Sequence, residues 1–294
     1  MDPGIDDALA LYVALGSLRV AGLAAVAGNV EQEKTFRNSQ ILLQAAGRPD
    51  IPVWPGSRAP FSRALHTAPH VHGTSGLDGW ELPPLERPFG LEDPPWLAWP
   101  PLLRAERAPR IIATGPLTNL AKLLWCLPTA QPPLAGITLM GGGLERGNVT
   151  PTAEFNFYVD PEAADAVMQA PVPVKMVGLD VTHKARMPWP RVEALVQMGP
   201  LGQILYDLLS WYGSHVERHP AGLAVHDAVA VAAHVHPEFF QWERHKLAVL
   251  CEGDLRGTVV RMPSSAGRPL VEVATDVDSV KVMDFIWESL SRLQ

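Results

Sequence analysis

Three carboxylates lie within the first seven residues of the chain, where they could act together on a cation or a proton. A Pro-Gly pair separates Asp2 from Asp6 and Asp7, and this pair favours a tight turn because proline fixes φ and glycine tolerates positive φ. Carboxylates this close repel one another unless a cation or a shared proton lies between them. The simpler interpretation is a turn followed by an acidic helix start, where the helix dipole favours negative charge.

A second candidate stretch is the pair His226-Asp227, at the start of an apolar helical pattern. Asp227 could complete a carboxylate set with Asp2 and Asp7, and such a set suits a hard cation, Ca²⁺ or Mg²⁺. No cysteine and histidine set has the spacing of a zinc site. His226 offers a titratable imidazole beside the carboxylate, although a local hydrogen bond at a helix start explains it equally simply.

A third stretch, residues 145–156, carries Asn148, Glu154 and Asn156. Amide and carboxylate groups together supply donors and acceptors, the combination that recognises the vicinal hydroxyls of a sugar. The alternative is a polar surface loop that caps the helix expected from Pro161. These residues therefore indicate sugar binding only if the fold brings them to the carboxylates.

The elements that must position these groups alternate between strand and helix, which predicts an α/β fold with a doubly wound, mostly parallel, Rossmann-like sheet and helices on both faces. Polar or glycine-containing loops follow nearly every strand. They contain Gly28-Asn29, Thr114-Gly115, Gly141 to Gly143 with Asn148, and Asp180 with Thr182. Ligands of open parallel sheets bind outside the carboxyl ends of the strands, so we expect these loops to form one active site there.

The apolar patterns give bounds for the elements. We predict strands at residues 20–26, 51–54, 110–113, 137–140 and 174–179, helices at 6–15, 31–46, 161–169, 191–215, 224–235 and 277–293, a helix that follows residues 114–119 and ends at 127, a β-like section at 246–273 and a long irregular excursion at 57–101. Since no linker or repeat interrupts this order, we expect residues 1–294 to form one domain.

Composition narrows the classes of protein. The chain has 294 residues, 47% of them hydrophobic and 19% charged, with a net charge of −7. This predicts a large core and argues against nucleic acid or an anionic membrane as a partner. Cys126 and Cys251 lie in apolar sequence and are predicted to be buried free thiols. Without a signal peptide or a membrane span, the protein is expected to be cytoplasmic.

The candidate stretches are similar, in order, to the motifs of the inosine–uridine-preferring nucleoside hydrolase family. Asp2-Pro3-Gly4-Ile5-Asp6-Asp7 resembles the family signature DxDPGxDD. The ordered set continues with Ala27-Gly28-Asn29, His72-Gly73-Thr74-Ser75-Gly76, Thr114-Gly115-Pro116-Leu117-Thr118-Asn119, Met140-Gly141-Gly142-Gly143, Gly147-Asn148, Ala153-Glu154-Phe155-Asn156, Asp160-Pro161-Glu162-Ala163, Gly178-Leu179-Asp180-Val181-Thr182-His183 and Val225-His226-Asp227.

The resemblance implies Ca²⁺-dependent hydrolysis of the N-glycosidic bond of ribonucleosides to ribose and a free purine or pyrimidine base. It implies Ca²⁺ ligation by Asp2, Asp7, Asp227 and the carbonyl group of Thr114, with Asp2 as the general base and His226 as the proton donor to the leaving base. The residues it implies as substrate-binding are Asp6, Asn29, His72, Met140, Asn148, Glu154, Asn156 and Trp211. Either Trp211 or Tyr212 could stack on the base, although core packing explains both equally well. A homodimer or homotetramer is also implied.

In the family the signature follows an apolar strand that ends in a further aspartate, whereas Met1 stands directly before Asp2 here. We therefore expect the first family strand to be missing, through a misplaced start or a shortened chain, which would leave its neighbours unpaired and lower stability, metal affinity and activity. Two other functions are a metal-dependent phosphohydrolase and a non-catalytic nucleoside- or ribose-binding homologue. The former would need a phosphate-binding Lys and Thr/Ser set at the strand ends, and the latter would not need Asp2 and His226 together.

Overall fold

A computed structural model of the protein describes residues 1–86, 88–130, 133–216 and 219–293. The helices are α1 Ile5–Ser17, α2 Gln32–Ala45, α3 Pro69–His72, α4 Pro95–Ala105, α5 Thr118–Cys126, α6 Phe155–Val159, α7 Pro161–Val167, α8 Leu179–Thr182, α9 Trp189–Ala194, α10 Gly199–His215, α11 His226–Val235 and α12 Ser279–Ser291, with 3-10 turns at Leu195–Met198 and Pro237–Phe239. The strands are β1 Leu23–Ala25, β2 Val53–Pro55, β3 Arg110–Ala113, β4 Gly136–Met140, β5 Val174–Val177, β6 Arg186–Met187, β7 Leu223–Ala224, β8 Phe240–His245, β9 Leu247–Val249, β10 Val259–Arg261 and β11 Val271–Val277.

The central sheet has five strands in the order β3-β4-β5-β11-β8. Neighbouring strands are parallel except for β8, which runs antiparallel to β11. Alternate residues of these strands enter different cores: Met140 and Val177 pack with α1, α10 and α11, whereas Leu139 and Met176 pack with α5 and α7. The prediction of a mostly parallel α/β sheet with helices on both faces is therefore confirmed.

Strands β1 and β2 form a separate parallel pair, in which Leu23 lies opposite Val53 and Ala24 opposite Trp54. Among the described residues, no strand lies between this pair and β3, which is the first strand in the order of the five-stranded sheet. Within the described residues, β1 and β3 therefore belong to separate sheets.

The element bounds differ from prediction mainly where tertiary packing overrides local pattern. Helix α4 lies in the region predicted to be irregular and contains Pro100 and Pro101. It forms because Leu103 enters the same core as Leu120 and Leu123 of α5. The strand expected at residues 174–179 ends at residue 177, because a short helix begins immediately after Gly178.

The prediction of buried cysteines is wrong. Cys126 is exposed and Cys251 is partly exposed. Cys126 ends α5, and the apolar residue before it, Trp125, is itself on the exposed face of that helix, so apolar neighbours in sequence do not imply burial. Within the described ranges, none of the helices has the length and apolar character needed to cross a bilayer.

Candidate active site

The first turn of α1 fixes the acidic residues at the N-terminus of the chain. Gly4 caps the helix, and its N–H group donates a hydrogen bond of 3.1 Å to Oδ2 of Asp7. A side chain at Gly4 would meet Nδ2 of Asn29 at 2.5 Å, so the close approach requires glycine. Asp6 and Asp7 lie at the positive end of the helix dipole, which stabilises their ionised forms.

The loop after β1 holds these carboxylates through Asn29. The backbone N–H of Asn29 donates to Oδ2 of Asp2 at 2.7 Å, and its side-chain amide donates to the Asp2 carbonyl oxygen at 3.1 Å and to Oδ2 of Asp7 at 3.3 Å. All three residues are buried. Asn29 therefore ties the turn before α1 to the end of β1.

The loop after β3 reaches the same carboxylates from another side. Thr114 Oγ1 donates to Oδ1 of Asp7 at 2.7 Å. The next residue, Gly115, is so close to Asp2 that a Cβ atom there would lie 2.2 Å from Oδ1 of Asp2. Two loops at the carboxyl ends of strands thus converge on the start of α1, where the parallel sheet was predicted to place the site.

Asp227 completes the acidic cluster from the first turn of α11. Carboxylate oxygens of Asp6, Asp7 and Asp227 all lie within 4.8 Å of one another. Burial, followed by the charges of Asp6, Asp7 and Asp2, raises the pKa of Asp227 well above its ordinary value. Burial and the Asp7 charge raise the pKa of Asp6 to about 7. The four groups therefore interact strongly and cannot all ionise without a compensating cation.

This donor set fits a hard cation. All of its ligand atoms are oxygens, and Oδ1 of the fully buried Asp2 has no hydrogen-bond partner among the described residues. A buried, unpaired carboxylate oxygen beside other carboxylates is costly unless a cation binds it. The cluster could thus hold a metal ion. The three carboxylates whose oxygens lie within 4.8 Å of one another are those of Asp6, Asp7 and Asp227. The resemblance instead implied Asp2 and the Thr114 carbonyl group as ligands, together with Asp7 and Asp227.

Glu154 and Asn156, which follow β4 and were predicted to bind the sugar, form a buried polar group. Glu154 caps α6: its Oε1 accepts from the Asn156 N–H at 2.9 Å, and its Oε2 accepts from the Gly142 N–H at 2.9 Å. The Asn156 amide donates to the Met140 carbonyl oxygen at 3.2 Å. Burial raises the pKa of Glu154 to about 7.

Asn148 occupies a different environment from Glu154 and Asn156. Its side chain is exposed, and its Oδ1 accepts from the Phe155 N–H at 2.9 Å. The contacts of Asn148 therefore stabilise the loop that precedes α6, and the structure gives it no direct contact with the acidic cluster.

His72 and Trp211, both predicted to bind the substrate, have different surroundings in the structure. His72 is buried, accepts the Ile5 N–H on Nδ1 at 3.1 Å, and stacks on Tyr212 with ring centroids 5.8 Å apart. Burial lowers the pKa of His72 to about 3. Trp211 instead stacks on His215 at 3.7 Å. Successive helix residues point in different directions, so Tyr212 and Trp211 have different ring partners.

His226 is held by residues that follow β5. Its Nδ1 lies 2.8 Å from Thr182 Oγ1, and its ring meets that of His183 edge-on at 5.2 Å. Burial and then the charges of His183 and Arg186 lower the pKa of His226 to about 3, so its imidazole is neutral at neutral pH. A neutral imidazole carries a single N–H, and the contact with Thr182 decides which nitrogen can face a ligand.

Sequence reasoning assigned no role to Arg186 or His183, and it gave Tyr212 only as an alternative to Trp211 for stacking on the base. Burial, and then the charges of Asp6 and Asp227, raise the pKa of Tyr212. The sequence held a signal for Tyr212, because buried residues recur along α10 at helical spacing. These are Leu205, Leu208, Leu209 and Tyr212. Arg186 and His183 gave no such signal, since they come together through a turn.

A mostly parallel sheet with a buried acidic cluster and further buried polar groups at its strand ends has the composition of a glycosidase-type hydrolase site. Solved structures support this class. A purine-preferring ribonucleoside hydrolase from Gardnerella vaginalis superposes with a TM-score of 0.93 at 28% identity, covering 100% of this chain and 97% of that one. The plant nucleoside hydrolase PpNRh1 gives a TM-score of 0.92 at 31% identity, with coverage of 99% and 97%.

The chain belongs to the inosine-uridine preferring nucleoside hydrolase family, whose sequence profile matches residues 1–284. It is 39% identical to the pyrimidine-specific ribonucleoside hydrolase RihA of Klebsiella pneumoniae over 300 aligned positions, which cover 99% of this chain and 96% of that protein. The protein is therefore an N-ribosyl hydrolase, as its motifs predicted.

Proposed function

We propose that this protein hydrolyses ribonucleosides to ribose and a free base in a Ca²⁺-dependent reaction, with pyrimidine ribonucleosides as the favoured substrates. The observation that carries the proposal is the buried cluster of Asp2, Asp6, Asp7 and Asp227 at the carboxyl ends of the strands. The pyrimidine preference is supported by the relative from Klebsiella pneumoniae, which is named pyrimidine-specific and is more similar to this chain than the purine-preferring enzyme from Gardnerella vaginalis.

Asp2, Asp7, Asp227 and the Thr114 carbonyl group would hold the Ca²⁺ ion, with Asp6 close enough to share in its binding. When bound, Ca²⁺ supplies positive charge that keeps the carboxylates ionised, orients the ribose hydroxyls and makes water a stronger nucleophile. Asp2 is the proposed general base, because its Oδ1 has no hydrogen-bond partner in the described structure and can accept a proton from water.

The ribose would lie between the acidic cluster and the polar group beyond β4. Asp6, Asn29, Glu154 and Asn156 are the proposed hydroxyl ligands, with Asn148 at the loop that encloses the sugar. As the glycosidic bond breaks, positive charge develops on the ribose. Nearby carboxylates stabilise this charge more strongly because they are buried, away from the screening of bulk water.

The leaving base would bind beside His72, Met140 and the aromatic side chains of α10. We propose that the Thr182 hydroxyl donates a hydrogen bond to Nδ1 of His226, so that Nε2 carries the N–H and donates a hydrogen bond to the departing base. The base then takes its proton from solvent, because a neutral imidazole that gave up this proton would become an imidazolate. The low pKa of His226 makes the neutral imidazole the relevant donor. Trp211 contributes through its stacking on His215 and not by direct contact.

The test is a panel of uridine, cytidine, inosine and adenosine, assayed for ribose release with Ca²⁺ and with EDTA. We expect release that EDTA abolishes and Ca²⁺ restores, with uridine or cytidine preferred. Asp227→Asn should weaken Ca²⁺ binding by about 100-fold, whereas the control Asp50→Asn changes an exposed carboxylate that forms an ion pair with Arg48. Ribose release that persists in EDTA would contradict the Ca²⁺ requirement, and phosphate release from a phosphoester without ribose release would support a phosphohydrolase instead.

Subunit number and location are also proposals. The family resemblance supports a homodimer or homotetramer in the cytoplasm, and sedimentation of the purified protein tests the first of these. A monomer at micromolar concentration would contradict it.

A further inference from the structure

The turn that follows β5 brings the imidazole ring of His183 against that of His226. The two rings meet edge-on, with their centroids 5.2 Å apart and their planes at 76°. The proposed function gives a role to His226 alone, whose Nδ1 is in contact with Thr182. His183 is partly buried and is the chain neighbour of Thr182, so it presents a second imidazole beside the proposed base-binding residue.

Arg186 determines which nitrogen of His183 carries the hydrogen. Its Nε donates to the His183 carbonyl oxygen at 3.0 Å, its Nη1 donates to the Gly222 carbonyl oxygen at 3.3 Å, and its Nη2 lies 3.2 Å from Nδ1 of His183. A guanidinium group stays protonated and has only donors, so Nδ1 of His183 must accept this hydrogen bond. In the neutral ring the remaining hydrogen is therefore on Nε2, which can only donate.

The neutral ring of His183 is the form present at neutral pH. Burial, followed by the charges of Arg186 and Arg146, lowers the pKa of His183 to about 4. A change of tautomer would place an N–H on Nδ1, directly against a donor of Arg186. The lost hydrogen bond and the contact between two donors would both cost free energy, so Nε2 of His183 is held as a fixed donor.

We propose that His183 determines specificity for the base, with its Nε2–H group donating a hydrogen bond to the 4-oxo oxygen of uracil, and that Arg186 is the positioning residue that keeps this donor in place. The inference rests on the proposed function. The acidic cluster that would bind the ribose contains Asp227, the chain neighbour of His226, and His183 follows His226 in this series of contacts. His183 therefore serves the edge of the base that is remote from the glycosidic bond.

A fixed donor discriminates between the two pyrimidine bases. Uracil carries a carbonyl oxygen at position 4, which accepts a hydrogen bond from Nε2 of His183. Cytosine carries an amino group there, whose N–H groups would meet the N–H of His183 and leave donors on both sides unpaired. We therefore expect kcat/KM to be higher for uridine than for cytidine, with about a tenfold part of the ratio due to His183.

The experiment compares the ratio of kcat/KM for uridine to kcat/KM for cytidine between the wild-type protein and its variants, so that the intrinsic reactivity of each nucleoside cancels. His183→Phe keeps a ring but removes the donor, and should lower the ratio by about tenfold. Arg186→Met frees the tautomer of His183 to change, so it should lower the ratio by raising kcat/KM for cytidine. Damage to the fold would lower kcat/KM for both nucleosides.

Two further variants complete the experiment. Lys184→Met is the matched control for Arg186→Met, because it removes a cation from the same turn whose Nζ contacts the Thr275 carbonyl oxygen and Asp276, and it should leave the ratio unchanged. His183→Gln presents either an N–H or a carbonyl group after rotation of its amide, so it should also lower the ratio. It replaces His183→Phe if thermal unfolding shows that the phenylalanine variant does not fold.

Calorimetric titration with uracil and with cytosine measures the same preference without turnover. Hydrolysis of both nucleosides with a ratio that His183→Phe and His183→Gln leave unchanged would overturn the role of His183 and leave the proposed function intact. A loss in Arg186→Met that is equal for both nucleosides would overturn the positioning role of Arg186. If no nucleoside is hydrolysed but His183→Phe removes a binding preference for uracil over cytosine, the proposed function fails and the role of His183 stands.

Discussion

Thr182 Oγ1 lies 2.8 Å from Nδ1 of His226, a contact that joins the turn after β5 to the start of α11. If this contact fixes the proton on Nε2, loss of the hydroxyl should impair only the step in which the base departs. We predict that Thr182→Val lowers kcat for uridine and inosine by about 100-fold. Turnover of 4-nitrophenyl riboside should change little, because its leaving group needs no protonation.

The conservative variant Thr182→Ser supplies the control, since it keeps an oxygen at the same position and should retain most of the activity on nucleosides. An equal loss on nucleosides and on the nitrophenyl riboside would mean that Thr182 supports folding of the site and does not orient His226.

The second prediction concerns the close approach of Gly115 to Asp2. A methyl group at residue 115 would lie 2.2 Å from Asp2 Oδ1, in a buried setting where the carboxylate has little room to move. Gly115→Ala should therefore displace Asp2 and lower turnover by about 100-fold, the effect of a displacement of about 1 Å at a reacting group. Ribose release and Ca²⁺ titration measure the result.

Gly267→Ala is the matched control, because a Cβ atom there meets nothing within 4 Å. It should leave both measurements unchanged. Normal turnover in Gly115→Ala would show that Asp2 can shift without cost and is not the general base.

The third prediction is a pH-dependent effect of Ca²⁺ on stability. Burial raises the pKa of Asp6 and of Glu154 to about 7, from ordinary values of 3.8 and 4.5. Without cation the folded state therefore binds more protons than the unfolded state over this range, so the free energy of unfolding falls as pH rises from about 4 to about 7. Ca²⁺ favours the ionised carboxylates, so the rise in melting temperature that it causes should grow over the same interval.

Thermal unfolding with EDTA and with Ca²⁺, from about pH 5 to about pH 8, measures this difference. The low pKa values of His72 and His226 have the opposite effect on the free energy of unfolding. Because the folded state keeps these histidines neutral, their effect lowers the free energy of unfolding as pH falls below the ordinary pKa of 6.5. Changes that occur equally with and without Ca²⁺ cancel in the difference. A Ca²⁺ effect that is flat or declines with pH would contradict the proposed link to the carboxylates.

The fourth prediction distinguishes the two neighbouring aromatic residues of α10. Tyr212 stacks on His72 near the acidic cluster, whereas Trp211 stacks on His215. Tyr212→Leu should raise KM for uridine by about 3- to 10-fold, the range expected from loss of one aromatic contact. Trp211→Leu should change KM less. Steady-state kinetics of both variants measure this, and the reverse order would return the base-binding role to Trp211.

Local sequence determined much of the fold and the composition of the site. The alternation of strand and helix segments predicted the parallel α/β sheet, and β3 begins and ends at the predicted residues. The sequence also predicted the turn before Asp6 and Asp7 and a helix with His226 near its start, because residues only a few positions away determine these features. The order of the family motifs indicated that Asn29, Thr114 and Asp227 contribute to the same active site.

Tertiary structure decided which of these groups make contact. The clustering of Asp6 with Asp7 and Asp227, the choice of Tyr212 over Trp211, and the contact of Thr182 with His226 depend on side-chain direction and on elements far apart in sequence. Sequence patterns specify the local backbone, whereas distances between separate elements are set by long-range packing, which no local pattern encodes.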